Sequence, residues 1–316
     1  PPPPEGGSAA ALVGNLVFPS RGRCPLCGGR PSPGDGALAR FSDRTYRRCA
    51  RCGIVYLTRS APPPIRYDEN YFFAEYRAQY GKTYLEDFTA LRQKGRERLE
   101  RIRHLLAGQL RGGKAPRPRL LDIGCAYGPF LAAAADGGFE PLGLDPAAAA
   151  VGYVGEKLGL AAVQGTFPAA APRLMAAGGQ FDVVSLWYVI EHFEDVGAAL
   201  AALSGLVRPG GVLAFSTPSF SGVSGRKNSR RFLENSPADH WTIWEPARVA
   251  ALLRRFGFRL EKIVVTGHHP ERFPLMRAGS RRGWIYRLLW RVSGLFGLGD
   301  TFEVYAIRTE DRSEHG

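Results

Sequence analysis

Arg119-Leu120-Leu121-Asp122-Ile123-Gly124-Cys125-Ala126-Tyr127-Gly128-Pro129-Phe130 is the stretch that decides the fold. Its first half is a short apolar run ending in an acid. Its second half is a turn of small residues opening onto the alanine-rich segment Leu131 to Asp136. The pattern predicts a buried parallel strand, a tight turn and a helix. Gly124 and Gly128 carry no Cβ and are expected to let the backbone approach a ligand closely. Asp122, at the carboxyl end of the strand, places an anionic acceptor where ligands bind in open α/β sheets. A second apolar run ending in a carboxylate follows at Pro141-Leu142-Gly143-Leu144-Asp145, and an acid there suits a bidentate contact to ribose hydroxyls.

Two nucleotide folds compete for this pattern. A dinucleotide turn needs G-x-G-x-x-G to cradle a pyrophosphate on a helix N-terminus. Here the turn lacks the second glycine, and Asp122 would repel a pyrophosphate. A carboxylate beside the loop suits a cationic amino-acid ligand instead. At Leu121-Asp122-Ile123-Gly124-Cys125-Ala126-Tyr127-Gly128 the chain resembles the class I S-adenosylmethionine-dependent methyltransferases, a likeness that runs by motif order over roughly residues 90 to 310. It implies an α/β fold with a Rossmann-like seven-stranded sheet. It also implies donor contacts at Asp122, Gly124, Cys125, Ala126 and Gly128, and at Asp145 with Pro146 after the second strand. For Cys125 a small buried side chain behind the loop is the plain alternative.

The alternation continues outward from this stretch. Strands are expected at 120–123, 141–144, 161–163 and 181–186, with helices at 129–136 and 147–158, building parallel βαβ units with right-handed crossovers. A helix from Val196 to Leu206, ended by Pro209-Gly210-Gly211, precedes a strand from Val212 to Ser216. A helix from Pro246 to Phe256 and a strand from Leu260 to Thr266 come next. Thr301 to Arg308 reads as the last strand, which the resemblance makes antiparallel. Upstream, Thr83 to Ala107 carries apolar residues at near-helical spacing and is expected to pack on the sheet and close the cofactor cleft.

Gln164-Gly165-Thr166-Phe167 follows the third strand, where the resemblance puts the adenine, with Phe167 placed to stack on it; the family's usual aspartate is missing there. Phe181-Asp182-Val183-Val184-Ser185-Leu186-Trp187-Tyr188-Val189-Ile190-Glu191-His192 forms the fourth strand and its exit loop. Its end resembles the V-x-E-H sequence of quinone and sugar methyltransferases. The resemblance aims Leu186, Trp187 and Tyr188 at the cofactor and Glu191 and His192 at the acceptor. His192 has the ordinary pKa of a base near neutrality, whereas capping of the next helix is the simpler use of both. His240, in Asp239-His240-Trp241, is a second candidate to face the acceptor, with a surface turn as the alternative. His268 and His269 have only Glu271 near them in sequence to support a metal reading.

Four of the five cysteines fall in two knuckles, Cys24-Pro25-Leu26-Cys27 and Cys49-Ala50-Arg51-Cys52, each followed by glycine. Two C-x-x-C knuckles make a closed S4 shell suited to structural zinc, with disulfides as the alternative. The expected organisation is a disordered leader at 1–20, a zinc ribbon at 21–60 and a linker with a helical cap at 61–118. A methyltransferase domain occupies 119–310, with a basic insert at 271–298. Ala61-Pro62-Pro63-Pro64 reads as a stiff linker, and the aromatic cluster Tyr67 to Phe73 as a hinge or substrate mouth.

The 316 residues carry a net charge of +13, which favours acidic partners without naming one. No run approaches a membrane span, and Ala10 to Phe18 has no basic region before it, so a cytoplasmic protein is expected. Between Glu271 and Arg291 six arginines, at 272, 277, 281, 282, 287 and 291, alternate with apolar and aromatic residues. That reads as a basic amphipathic helix able to rest on an anionic membrane surface. The function expected is methyl transfer to an oxygen or carbon of a small-molecule acceptor, such as a sugar or a phosphorylated or lipid-linked intermediate. The alternatives are a zinc-ribbon ribosomal RNA methyltransferase, which the charge would suit, and a non-catalytic module. Loss of Asp122 or Asp145 would mark the latter, and both are present.

Overall fold

The computed structural model describes residues 23–30, 32, 35–59, 76–107, 117–273 and 283–309. The leader, the proline linker, the Tyr67 to Phe73 cluster and arginines 277, 281 and 282 lie outside the described residues. In chain order the elements are β1 (Ala37–Arg40), β2 (Arg44–Arg48), β3 (Val55–Arg59), α1 (Tyr76–Tyr80), α2 (Phe88–Ala107), β4 (Arg119–Ile123), α3 (Pro129–Asp136), β5 (Glu140–Asp145), α4 (Ala148–Leu158) and β6 (Ala161–Gln164). They continue with α5 (Ala171–Gly178), β7 (Phe181–Trp187), α6 (Val196–Leu206), β8 (Val207–Pro218), α7 (Val223–Lys227), α8 (Ser229–Glu234), β9 (Thr242–Ile243), α9 (Pro246–Arg254), β10 (Phe258–Thr266), α10 (Trp284–Leu295) and β11 (Thr301–Arg308).

The large sheet has seven strands in the order β10-β11-β8-β7-β4-β5-β6. Strands β6, β5, β4, β7 and β8 pair in parallel, and β11 runs antiparallel between β8 and β10, as the last strand was expected to do. From β4 the chain builds outward through β5 and β6, then crosses back to β7 on the other side. The crevice above β4 and β7 is therefore the topological switch point, where open α/β sheets bind ligands.

Continuous apolar runs form these strands because both faces are covered. On one face Leu99, Ile102 and Leu106 of α2 and Phe130 and Ala133 of α3 pack on Leu120, Val183, Val212 and Tyr305. On the other, α6 and α9 supply Leu200, Leu203, Val249 and Leu253 against Leu121, Val184, Leu213 and Phe215. Asp195 starts α6 by accepting the Ala198 N–H at 2.8 Å. That helix ends at Leu206, as expected, but Pro209-Gly210-Gly211 lies within β8. The strand pairs from Val207 and absorbs the excess in a register shift against Phe181 and Val183.

A smaller sheet, β1-β2-β3-β9, carries the cysteine knuckles. Its fourth strand comes from far down the chain: Val55 pairs with Ile243 and Tyr56 with Thr242. Cys24, Leu26, Ile54 and Tyr56 join the same apolar core as β7, β8 and α6. No helix among the described residues is long and apolar enough to cross a membrane.

Candidate functional site

The turn after β4 is built by hydrogen bonds to β5 and to Asp145. The N–H groups of Gly124 and Cys125 donate to the Leu144 carbonyl at 2.7 and 3.2 Å. Asp145 accepts the Ala126 N–H at 2.8 Å through one oxygen and the Ala147 N–H at 2.9 Å through the other. Ala126 holds φ 47, a left-handed conformation for a residue with a side chain, stabilised by that bond. Each carboxylate oxygen has a second lone pair, so Asp145 keeps capacity for a ligand's hydroxyls. Asp122 is 2 % exposed and accepts the Ser185 hydroxyl at 2.6 Å. Burial raises its carboxyl to about 7, against the pull of Ser185 and Arg98. Burial raises Asp145 as well, opposed by its two backbone bonds.

The glycines of the turn let neighbouring elements pack against it. Gly124 sits at φ 73, and a Cβ there would stand 2.5 Å from the Val189 side chain. Gly128 sits at φ 79, where a Cβ would press on Leu158 and Val154 at 2.9 Å. The first lets the exit loop of β7 close over the turn, and the second lets α4 pack beneath it. Gly124→Ala is accordingly expected to cost about 1–3 kcal/mol in a urea melt, from the unfavourable φ and the Val189 contact together; an unchanged midpoint would show that neither acts. Cys125 is buried under the turn, its sulfur where a Cβ on Gly143 would meet it, and burial pushes its thiol well above the ordinary value. That environment suits a packing residue, not a nucleophile.

The other residues expected at the cofactor divide in two. Pro146 accepts from the Gln164 side chain at 3.2 Å, and the Gly165 N–H donates to the Asp145 carbonyl at 3.0 Å, so these two and Thr166 border the Asp145 turn. Phe167 is buried beside Phe193, ring centres 5.6 Å apart. Trp187 lies against Phe130, and its ring is covered by the Arg98 guanidinium at 3.9 Å. Arg98, a residue of α2 that sequence reasoning passed over, is held by Glu303 of β11 at 2.9 Å. Leu186 instead points into the core on the opposite face. Tyr188 is exposed at φ 60, its N–H bonded to the Ser216 carbonyl and hydroxyl, both at 3.1 Å. Tyr84, also unforeseen, packs on Tyr127 at 6.1 Å and closes the turn from the α1–α2 side.

Beyond β7, Glu191, His192 and His240 come together. His192 donates from Nδ1 to Asp239 at 2.8 Å, and the His192 and His240 rings meet edge to face at 4.7 Å. The Trp241 N–H donates to the Glu191 carbonyl at 2.8 Å, fastening the two segments. Asp239 and His240 are buried, so this stretch is not a surface turn. Burial opposes charge on His192, but the Asp239 bond and the Glu191 charge outweigh it and raise its pKa above the ordinary imidazole value. Burial, then the charge on His192, lowers His240 to about 3, leaving it neutral. Glu191 is 1 % exposed; burial raises it to about 7, and Thr217 eases its charge without meeting hydrogen-bond geometry. One ligand atom from each of Glu191, His192 and His240 falls within 4.8 Å of the others, a donor set able to take a cation as well as a proton. His268 and His269 bond instead to Ser293 at 2.8 Å and Glu271 at 3.0 Å.

All four knuckle cysteines are free thiols. Cys24 and Cys52 sulfurs are 3.5 Å apart and Cys27 and Cys49 sulfurs 3.7 Å, within one four-sulfur cluster. Tetrahedral zinc with bonds of about 2.3 Å separates its sulfurs by about 3.8 Å, so the cluster fits the ion.

Comparison with known proteins gives the family. Residues 91–263, more than half of the chain, match the model of a methyltransferase domain. The ubiquinone biosynthesis O-methyltransferase of Burkholderia pseudomallei is 29% identical over 170 residues, covering 51% of this chain and 73% of that protein. Its Aromatoleum aromaticum counterpart is 28% identical over 160 residues, covering 48% and 68%. Among solved structures, a SAM dependent methyltransferase from Archaeoglobus fulgidus has a TM-score of 0.49 at 16% identity, covering 75% of this chain and 99% of its own. Magnesium protoporphyrin IX methyltransferase from Synechocystis PCC 6803, with bound SAH, gives 0.47 at 16%, covering 76% and 97%. With its sheet order, its turn after β4 and this match, the chain belongs to the methyltransferase domain family and is a class I S-adenosylmethionine-dependent methyltransferase.

Proposed function

We propose that the chain methylates a hydroxyl oxygen of a small-molecule acceptor that carries an anionic group, with His192 as the base. The observation that carries this reading is the part-buried Asp239–His192 pair beside Glu191 and His240, at the exit of β7 across the switch point from the β4 turn. The names of the relatives, O-methyltransferases, support an oxygen acceptor. When bound, S-adenosylmethionine supplies an electrophilic methyl on sulfur, and S-adenosylhomocysteine leaves as the thioether. The protein's share is positional and acid–base. Asp122 would receive the donor's ammonium and Asp145 its ribose, fixing the methyl group above β4 and β7. Asp239 holds the proton on His192 Nδ1, which makes Nε2 the basic nitrogen. The acceptor hydroxyl gives its proton to that nitrogen as the new carbon–oxygen bond forms and the carbon–sulfur bond breaks. His240, neutral at working pH, does not compete for that proton.

Catalysis by positioning alone would leave a His192→Ala variant active. With His192 as base, the variant should lose about 100-fold to 10,000-fold in kcat while S-adenosylhomocysteine affinity by calorimetry stays the same. Full turnover in the variant would remove the base from this reading. A panel of phenols, sugars and phosphorylated alcohols, scored by the mass of the methylated product, identifies the acceptor. RNA is the rival that the charge of +13 supports. Methylation of RNA, with an affinity falling steeply in salt, would replace the small molecule.

A further inference from the structure

We infer that the outer face of α10 is a docking surface for an anionic lipid bilayer. Helix α10 lies between β10 and β11 and is anchored from within. Leu289 and Ser293 are buried, and Ser293 bonds to His268 at 2.8 Å. His268 also meets the Trp290 ring at 5.2 Å. The opposite face repeats at 284, 288, 291 and 295, the spacing of one side of an α-helix. There Trp284 is 73 % exposed, Leu288 50 % and Leu295 81 %, and Phe296 extends the strip just beyond. Trp284, Leu288, Leu295 and Phe296 leave a strip of exposed apolar side chains whose hydration costs free energy unless something covers it.

The charge on this face selects the partner. Arg291 sits within the strip and Arg287 at its edge, both exposed. Among the described residues near this face Arg272 is engaged with Asp300 and Glu271 with His269 at 3.0 Å, so Arg287 and Arg291 set its charge. Two copies packed through this face would set Arg287 and Arg291 against their equivalents with no acid between them. An RNA track could stack a base on Trp284 but would leave Leu288, Leu295 and Phe296 facing phosphate and water. A bilayer rich in acidic headgroups answers both chemistries at once: the apolar strip enters the acyl boundary, and the guanidinium groups reach the phosphate layer. Tryptophan at the strip's end suits the interfacial zone.

Co-sedimentation with vesicles of neutral phosphatidylcholine, or with about a third phosphatidylglycerol added, tests this without donor or acceptor, so its outcome is independent of the proposed reaction. The full chain should bind the anionic vesicles at least tenfold more tightly than the neutral ones and lose that margin in high salt. Its tryptophan emission should shift to shorter wavelength on binding. Arg287→Glu with Arg291→Glu should weaken binding by about thirty-fold or more. Trp284→Ser with Leu288→Ser and Leu295→Ser should abolish it; unchanged thermal melts would show both variants folded. Equal binding to the two vesicle types, or binding that survives the triple apolar substitution, overturns the inference. So does a dimer in solution that the triple substitution dissociates, since a second copy would then cover the face.

Discussion

Removing zinc from the four-cysteine cluster is expected to abolish methyl transfer while leaving S-adenosylhomocysteine affinity within a few-fold. A closed S4 zinc site contributes on the order of 10 kcal/mol to a module of this size, which cannot bury enough apolar surface to fold alone. Its loss would reach the segment that carries Asp239 and His240 because the smaller sheet is built onto it. Strand β3 pairs with β9, the Leu57 N–H donates to the Trp241 carbonyl at 2.9 Å, and Arg59 reaches the Ala238 carbonyl at 2.7 Å. The first knuckle also rests on α6. Gly197 donates to the Pro25 carbonyl at 2.9 Å, and a Cβ on Gly197 would stand 2.7 Å from the Leu26 carbonyl. Asp239 and His240 thus lose their backing when the ribbon opens, whereas Asp122 and Asp145 are held by β4, β5 and β7. Metal analysis, calorimetry and hydrogen exchange on chelated protein, repeated on Cys27→Ser with Cys52→Ser, give the comparison. Exchange should accelerate at 238–243 and stay slow at 120–126. Native protein without metal, or chelated protein with full turnover, would sever the cysteine module from the proposed acceptor site.

The strands of the large sheet were legible because strands buried on both faces read as apolar runs, and two of those runs end at the crevice in a carboxylate. Asp122 and Asp145 stand at such ends, and Glu191-His192 follow β7 in its exit loop. What stayed hidden depends on contacts between distant segments. β9 is two residues long, too short for any periodic signal, and its partner β3 lies about 190 positions earlier. Asp239 was visible beside His240, but its bond to His192 spans 47 positions and exists only once β9 fixes the segment. Gly124 and Gly128 were singled out for their missing Cβ, but the groups that fill the space beside them, Val189, Val154 and Leu158, belong to other elements and could not be read from the turn. The short helices α5, α7 and α8 gave no such signal: α7 and α8 span five and six residues, and α5 starts with alanine and proline and has no side-chain cap.

Donor binding should weaken about tenfold for each pH unit below 7 and level off above it. The Asp122 carboxyl is raised to about 7 because burial disfavours its charge more than Ser185 and Arg98 support it. For folding, a raised carboxyl contributes its stability below the unfolded pKa of about 3.9 and loses it as pH climbs through 7. A ligand ammonium reverses the preference by favouring the ionised form. Below pH 7 the ligand must therefore displace a proton, at about 1.4 kcal/mol per unit; above pH 7 the carboxylate is already formed. S-adenosylhomocysteine keeps the same ammonium, so the slope should appear with it as well. Calorimetry near pH 6.5 in two buffers of different ionisation enthalpy should register a fraction of a proton released per ligand bound. The ligand-induced rise in Tm should grow from pH 6 to pH 8. Asp122→Asn should flatten the pH dependence and weaken binding by about 100-fold or more at pH 8, since it leaves a buried cation without its counter-charge. An affinity constant from pH 6 to pH 8 would detach Asp122 from the ammonium, and a variant that binds weakly but keeps the wild-type slope would assign the titration to another carboxyl, Asp145 being nearest in kind.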